Sequence, residues 1–123
     1  MDGCPFCAIP EGEILDENEY AVAVRDGFPV TEGHTLIITK RHVDDYFKLS
    51  KEEKVETLDL LEKMKRAIDD KYSPCGYNVG MNIGEAAGQR IQHVHIHLIP
   101  RIAGDAVPPR GSVKGVIRHK MTY

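Results

Sequence analysis

Hydrophobic and polar positions change period several times along the chain, and each change marks an element. Glu13 to Asp16 is long enough for one short strand, and EYAVAVRD, from Glu19 to Asp26, reads as a second. Gly27, Pro29 and Gly33 punctuate the loop that follows. HTLIITK, from His34 to Lys40, is β-branched and apolar in the manner of a central strand, and Val43 to Phe47 fits a short helical turn. Ser50 and Glu53 form S-x-x-E, a capping box that opens a helix. Val55, Leu58, Leu61, Met64 and Ile68 then recur at helical spacing, which predicts one long amphipathic helix to about Lys71. Ser73-Pro74 and Gly76 stop it. YNVGMNIG and QHVHIHLIP supply two more strands, joined by GEAAGQ, and from Gly104 onward no period is clear. Five strands with one long helix between the third and fourth, paired through short links, predict an antiparallel sheet and the α+β class.

The last strand carries the chemistry. His93, His95 and His97 alternate with Val94, Ile96 and Leu98, so half of the chain's six histidines occupy every second position of one segment. Side chains of a strand point alternately to its two faces. The aliphatic trio therefore faces a core and the imidazoles share the other face, with neighbouring histidines about 6.6 Å apart at Cα.

Composition narrows the classes of function. At 123 residues the chain has single-domain length, and its 41% hydrophobic and 28% charged content suits a folded core. Net charge is −3 with the basic residues scattered, so neither a nucleic-acid stripe nor a membrane patch is expected. No apolar run approaches the ~18 residues of a membrane span, and MDGCPFCAIP lacks the layout of a signal peptide, which leaves a cytosolic location as the expectation. In that reducing compartment three cysteines do not make a disulfide framework. Cys4 and Cys7, in C-P-F-C, have the spacing of a metal knuckle or a redox pair. A thioredoxin-like motif follows a strand and opens a helix; this one lies among proline and glycines at the start of the chain, which favours metal. Two thiolates are half of a zinc site. Cys75, after Pro74, reads as a bystander.

Three alternating imidazoles admit three readings: a solvated strand edge, a metal site, or a nucleophile. An H-x-H pair converges on one ion, but the outer pair is roughly 13 Å apart at Cα, so at most two share a metal. A neutral imidazole near pH 7 also accepts a phosphoryl group and splits a displacement into two steps. The preceding NIGEAAGQ favours phosphate. Gly84 and Gly88 allow close backbone approach, and the amides of Asn82 and Gln89 donate hydrogen bonds without fixed charge.

QHVHIHL resembles the signature of the histidine triad family, three histidines alternating with apolar residues, and NIGEAAGQ resembles that family's phosphate loop. RDGFPVTEGHTLIITKRH is similar to its upstream segment, so the resemblance covers most of residues 4 to 101. It implies a nucleotide hydrolase or transferase of α+β fold, forming a homodimer in which two five-stranded sheets join into ten strands. His95 would be the nucleophile, attacking the α-phosphorus to form a nucleotidyl-histidine intermediate. His97 would help bind phosphate and the leaving group. Gln89 and Asn82 match polar groups at the phosphates, and Asp26 matches the residue that receives the ribose hydroxyls. Apolar residues around Phe6, Ile9 and Val24 would sandwich the base. Arg90 stands where many members carry Ser or Thr.

A zinc-bearing subset of the family pairs an N-terminal Cys-x-x-Cys with two histidines. By that resemblance Cys4, Cys7, His42 and His93 form a closed structural zinc shell. His34 is then part of the start of the third strand and His119 a surface residue. The expected organisation is one domain over 1–123, with a zinc knuckle at 1–12 and an irregular tail at 104–123. The ending Leu-Ile-Pro-Arg is similar to the dinucleoside polyphosphate hydrolases. An adenosine phosphoramidate hydrolase, a nucleotide-sensing module with little turnover, and a purely structural zinc protein are the alternatives.

Overall fold

A computed structural model describes residues 3–105 and 116–117. Five strands, Ile14–Glu17 (β1), Ala21–Arg25 (β2), Thr35–Thr39 (β3), Gly76–Gly80 (β4) and His95–Arg101 (β5), form one antiparallel sheet in the order β1-β2-β3-β5-β4. One long helix, Lys51–Tyr72 (α1), lies between β3 and β4 in the chain. This is the predicted α+β class. Among the described residues no helix is long and apolar enough to cross a membrane. His119 and most of the tail lie outside the described residues.

The sheet has two differently used faces. Ala21, Ala23, Ile37, Ile96 and Leu98 meet Leu60, Met64 and Ile68 of α1 in one core. On the other face, Val22, Val24, Leu36 and Ile38 are covered by Phe6, Ile9 and Ile14. Central strands β2 and β3 are thus buried on both sides, which explains their continuous apolar runs. His95 and His97 pair opposite Ile38 and Leu36, and so share the face away from the helix.

The helix begins where expected. Ser50 accepts from the Glu53 amide while the Glu53 carboxylate accepts from the Ser50 amide, a complete capping box. Its buried stripe differs from the expected one: Glu53, Thr57, Leu60, Met64 and Ile68 are buried, whereas Val55 and Leu58 are exposed. Two polar residues occupy core positions and turn the stripe around the axis. Glu53 does so because Arg41 grips it at 2.9 and 2.8 Å, a bidentate pair that compensates its burial.

Other boundaries shift. β1 runs one residue on from the expected Glu13 to Asp16, and a bulge lies within it between Ile14 and Asp16. The helical turn expected over Val43 to Phe47 is a tight turn at Tyr46–Lys48. β4 stops at Gly80, short of Gly84, and β5 starts only at His95. His93 therefore sits in a bend over residues 91–93, outside the ladder.

Candidate active site and metal cluster

His95 opens β5 with its Nδ1 donating to the carbonyl of His93 at 2.8 Å. A carbonyl only accepts, so Nδ1 carries the proton and Nε2 keeps its lone pair. The edge of Phe6 lies against this ring, with centroids 5.0 Å apart, and ties it to the apolar patch of Val22, Val24, Leu36 and Ile38. Phe6, Ile9 and Val24 thus belong to one apolar surface on the histidine side of the sheet.

The next ring along the strand, His97, is 5.2 Å from that of His95. Its Nδ1 is 2.9 Å from Nε2 of His34, which is buried to 2% exposure. The backbone N–H of Val30 donates to His34 Nδ1 at 3.0 Å. That contact puts the neutral His34 proton on Nε2, which donates to His97 Nδ1; the His97 proton then stands on Nε2. Asp26 Oδ2 sits 3.3 Å from His34 Nε2 and 3.8 Å from His97 Nδ1, while its Oδ1 accepts from the Phe28 amide at 2.9 Å. Burial lowers the pKa of both histidines; the Asp26 carboxylate opposes this, and His95 and His34 add to the lowering at His97. Asp26, His34 and His97 are close enough to suggest an ion, but the proton between the two imidazoles occupies the lone pair that an ion would need. His34 was invisible as a site residue in the sequence. Its one signal was a histidine at the head of a strand of otherwise apolar and β-branched residues.

The loop before β5 is shaped by two glycines at positive φ, +89° at both Gly84 and Gly88, where other residues are strained. Gln89 is buried, and its amide is fully committed. Its Oε1 accepts from the Gly84 amide at 2.8 Å, and Nε2 donates to the carbonyls of Asp44 and Ile91. Gln89 thus holds the loop closed through contacts that a phosphate would have to displace. Asn82 is exposed, with one contact of 3.3 Å from its Nδ2 to the Gly88 carbonyl, and Arg90, which follows Gln89, is exposed too.

Cys4, Cys7, His42 and His93 meet in one cluster, their ligand atoms all within 4.8 Å of one another. The tight turn Pro5–Cys7 presents both thiols. Fully buried His93 donates from Nε2 to the Thr39 carbonyl at 2.6 Å, which leaves the Nδ1 lone pair facing the sulfurs of Cys4 and Cys7 at 3.5 and 3.6 Å. His42 Nδ1 approaches Cys7 Sγ at 3.1 Å. Burial lowers the pKa of His93, partly opposed by the Thr39 carbonyl, and His42 and His95 lower it further. Two thiols and two imidazole nitrogens, one oriented by a backbone carbonyl, are the donors and the outer-shell contact that a tetrahedral structural zinc site uses.

A HIT domain model matches residues 10–104. The Bacillus subtilis protein hit is 38% identical over 104 residues, covering 81% of this chain and 72% of that protein. A Schizosaccharomyces pombe adenosine 5′-monophosphoramidase is 38% identical, covering 80% and 74%. An AP-4-A phosphorylase of Mycobacterium tuberculosis is 33% identical, covering 83% of this chain and 55% of that protein. Among solved structures, a zinc-bound histidine triad family protein from Mycobacterium smegmatis superposes with a TM-score of 0.77 at 30% identity, over 97% of this chain and 93% of that one. The matched span holds all five strands, the helix and all three triad histidines, and on that basis the chain belongs to the HIT domain family.

Proposed function

We propose that the protein hydrolyses nucleoside 5′-phosphate derivatives, with dinucleoside polyphosphates as the substrate class, through a nucleotidyl-His95 intermediate. One observation carries the reading: the hydrogen bonds of the site leave a lone pair on His95 Nε2 and a proton on His97 Nε2, side by side on one face.

In the first step the His95 Nε2 lone pair attacks the α-phosphorus. The bond from that phosphorus to the departing oxygen breaks, its electron pair stays on the oxygen, and His97 Nε2–H donates a hydrogen bond to the oxyanion as it leaves. The His93 carbonyl, accepting from Nδ1, stabilises the cationic phospho-imidazole. In the second step water attacks phosphorus and releases its proton to solvent; the N–P bond breaks, and His95 recovers its lone pair. Asp26 receives the ribose hydroxyls, and the Phe6, Ile9 and Val24 surface takes the base. Asn82 and the backbone of the Gly84–Gly88 loop face the phosphates, with Gln89 keeping that loop in shape.

Cys4, Cys7, His42 and His93 would hold zinc. The metal supplies fold stabilisation and fixes the His93 ring, two residues from the nucleophile, with no contact to substrate. A cytosolic homodimer is the setting that goes with this reading. β4 is an edge strand whose outer backbone has no strand partner among the described residues, and Val79 on it is 52% exposed.

The similarity to a monophosphoramidase favours a second reading, hydrolysis of adenosine 5′-phosphoramidate by the same residues. Turnover of both substrates by the wild type and His95→Ala tests the proposal. Release of AMP from diadenosine tetraphosphate by the wild type, and none by the variant, is expected; no release by either would contradict it.

A further inference from the structure

A cavity of about 440 Å³ opens beside His97 and runs between β4 and β5 on the same face of the sheet. His97 and Asn82 stand at one end and Arg101 at the other, with Asn78, Gly80 and Ile99 between. Neither the base, the ribose nor the attacked phosphate uses this space in the reading above. β4 carries little bulk on this face, and Val116 from beyond β5 also lines the space. Gly80 pairs opposite His97 and Asn78 opposite Ile99, so they share its face, and a Cβ on Gly80 would meet nothing within 4 Å. The far end is polar. Arg101 donates from Nη1 to Asn78 Oδ1 and holds Asp105 bidentately at 2.8 Å.

The direction of the reaction points into this space. In an in-line displacement the attacking and departing atoms lie on opposite sides of phosphorus. His95 and His97 are successive residues on this face of β5, their rings 5.2 Å apart. An axis from His95 Nε2, through phosphorus, to an oxygen hydrogen-bonded by His97 therefore runs along β5 towards Ile99 and Arg101. We propose that the β4–β5 groove binds the departing half of the substrate, and that this half is itself a nucleotide. The inference rests on the hydrolase reading and assigns it a second nucleoside site. The departing phosphates would cross His97 and Asn82, the base would lie on Ile99, and the Asn78 amide and the remaining Arg101 N–H groups would meet its polar edge. The volume falls in the range of about 300–1,000 Å³ typical of small-molecule sites. Ammonia, the departing group of a phosphoramidate, would leave the groove empty. Pairing of β4 with a second copy would use its outer backbone edge and leave this face open.

The test is the ratio of kcat/KM for diadenosine tetraphosphate to that for adenosine 5′-phosphoramidate, measured on the full-length wild type, Gly80→Val and Asn78→Leu. Valine at position 80 fills the mouth of the groove at a site with room and an ordinary strand backbone. The ratio should fall about tenfold in Gly80→Val and several-fold in Asn78→Leu. An unchanged ratio in both folded variants overturns the proposal while the hydrolase reading stands; a wild type that cleaves only the phosphoramidate overturns this site together with the dinucleoside polyphosphate class and leaves the phosphoramidate reading. A wild type that cleaves neither substrate removes the hydrolase reading and this site with it.

Discussion

His34 Nε2 lies 2.9 Å from His97 Nδ1, and the hydrogen bond between them runs in one direction because the Val30 amide already occupies the other nitrogen of His34. A residue outside the triad thereby sets which nitrogen of His97 holds the proton. Replacing His34 with alanine should let His97 change tautomer. The rate should then fall by about 10–100-fold for a substrate whose departing oxygen needs that hydrogen bond, a part of the full effect of an oxyanion donor. An adenylate ester of an acidic phenol, which leaves unaided, should be slowed far less. Equal losses for both substrates would reduce His34 to a packing role. The measurement is a plot of log kcat against leaving-group pKa for the wild type and His34→Ala.

The same pair predicts a pH dependence of stability. Burial lowers His34 and His97 from the ordinary value of 6.5. In the window below about 6.5 and above the lowered folded values, the unfolded chain binds more protons than the folded one. Their contribution is therefore complete above the unfolded value and is lost as pH falls through the folded values. Melting temperature should drop between about pH 7 and pH 5, and the drop should shrink in His34→Phe. Repeating the series in Cys4→Ser/Cys7→Ser separates this effect from metal release. A flat profile in the double-serine protein would show that these histidines titrate normally.

Much of this architecture was legible in the residues, for physical reasons that can be named. The alternation of His95, Ile96, His97 and Leu98 announces a strand with one polar face, and Ser50 with Glu53 announces the helix start; both rest on local periodicity. The grouping of Cys4, Cys7, His42 and His93 came through its resemblance to known spacings, and the four side chains do meet. What was hidden depends on tertiary partners. Glu53 and Thr57 lie in the buried stripe, and Arg41 compensates the charge of Glu53 from another segment. The contacts that hold Gln89 are hidden as well, because the Asp44 carbonyl that accepts from it lies 45 residues away in sequence. His34 looked structural because its partners, Val30 and His97, meet only once β3 and β5 pair.

Asp26 predicts a separable effect on the sugar. Asp26→Ala should weaken nucleoside monophosphate binding by about 1.5–3 kcal/mol, the range for a hydrogen bond to a charged group. Titration calorimetry with the 2′,3′-dideoxy nucleotide should find little further loss in that variant. Losses that add would place the ribose elsewhere. Asp26 also lies 3.3 Å from His34, so a modest fall in kcat should accompany the change.

Elemental analysis of natively purified protein should find about one zinc per chain, the stoichiometry of a four-ligand structural site. Cys4→Ser/Cys7→Ser should lose the metal and melt lower, since the unfolded chain has no preformed site, while retaining part of the activity. Stoichiometric metal in that variant would mean that other residues bind it, and the shell proposed here would be wrong.

The covalent intermediate is the centre of the account, and rapid quenching tests it most directly. Wild-type protein mixed with diadenosine tetraphosphate labelled at the α-phosphorus, then quenched in base within one turnover, should carry an acid-labile label. Peptide mapping should place that label on His95, and His95→Ala should carry none. Steady turnover by the wild type with no label on His95 at any quench time, or near-normal turnover by His95→Ala, would contradict it.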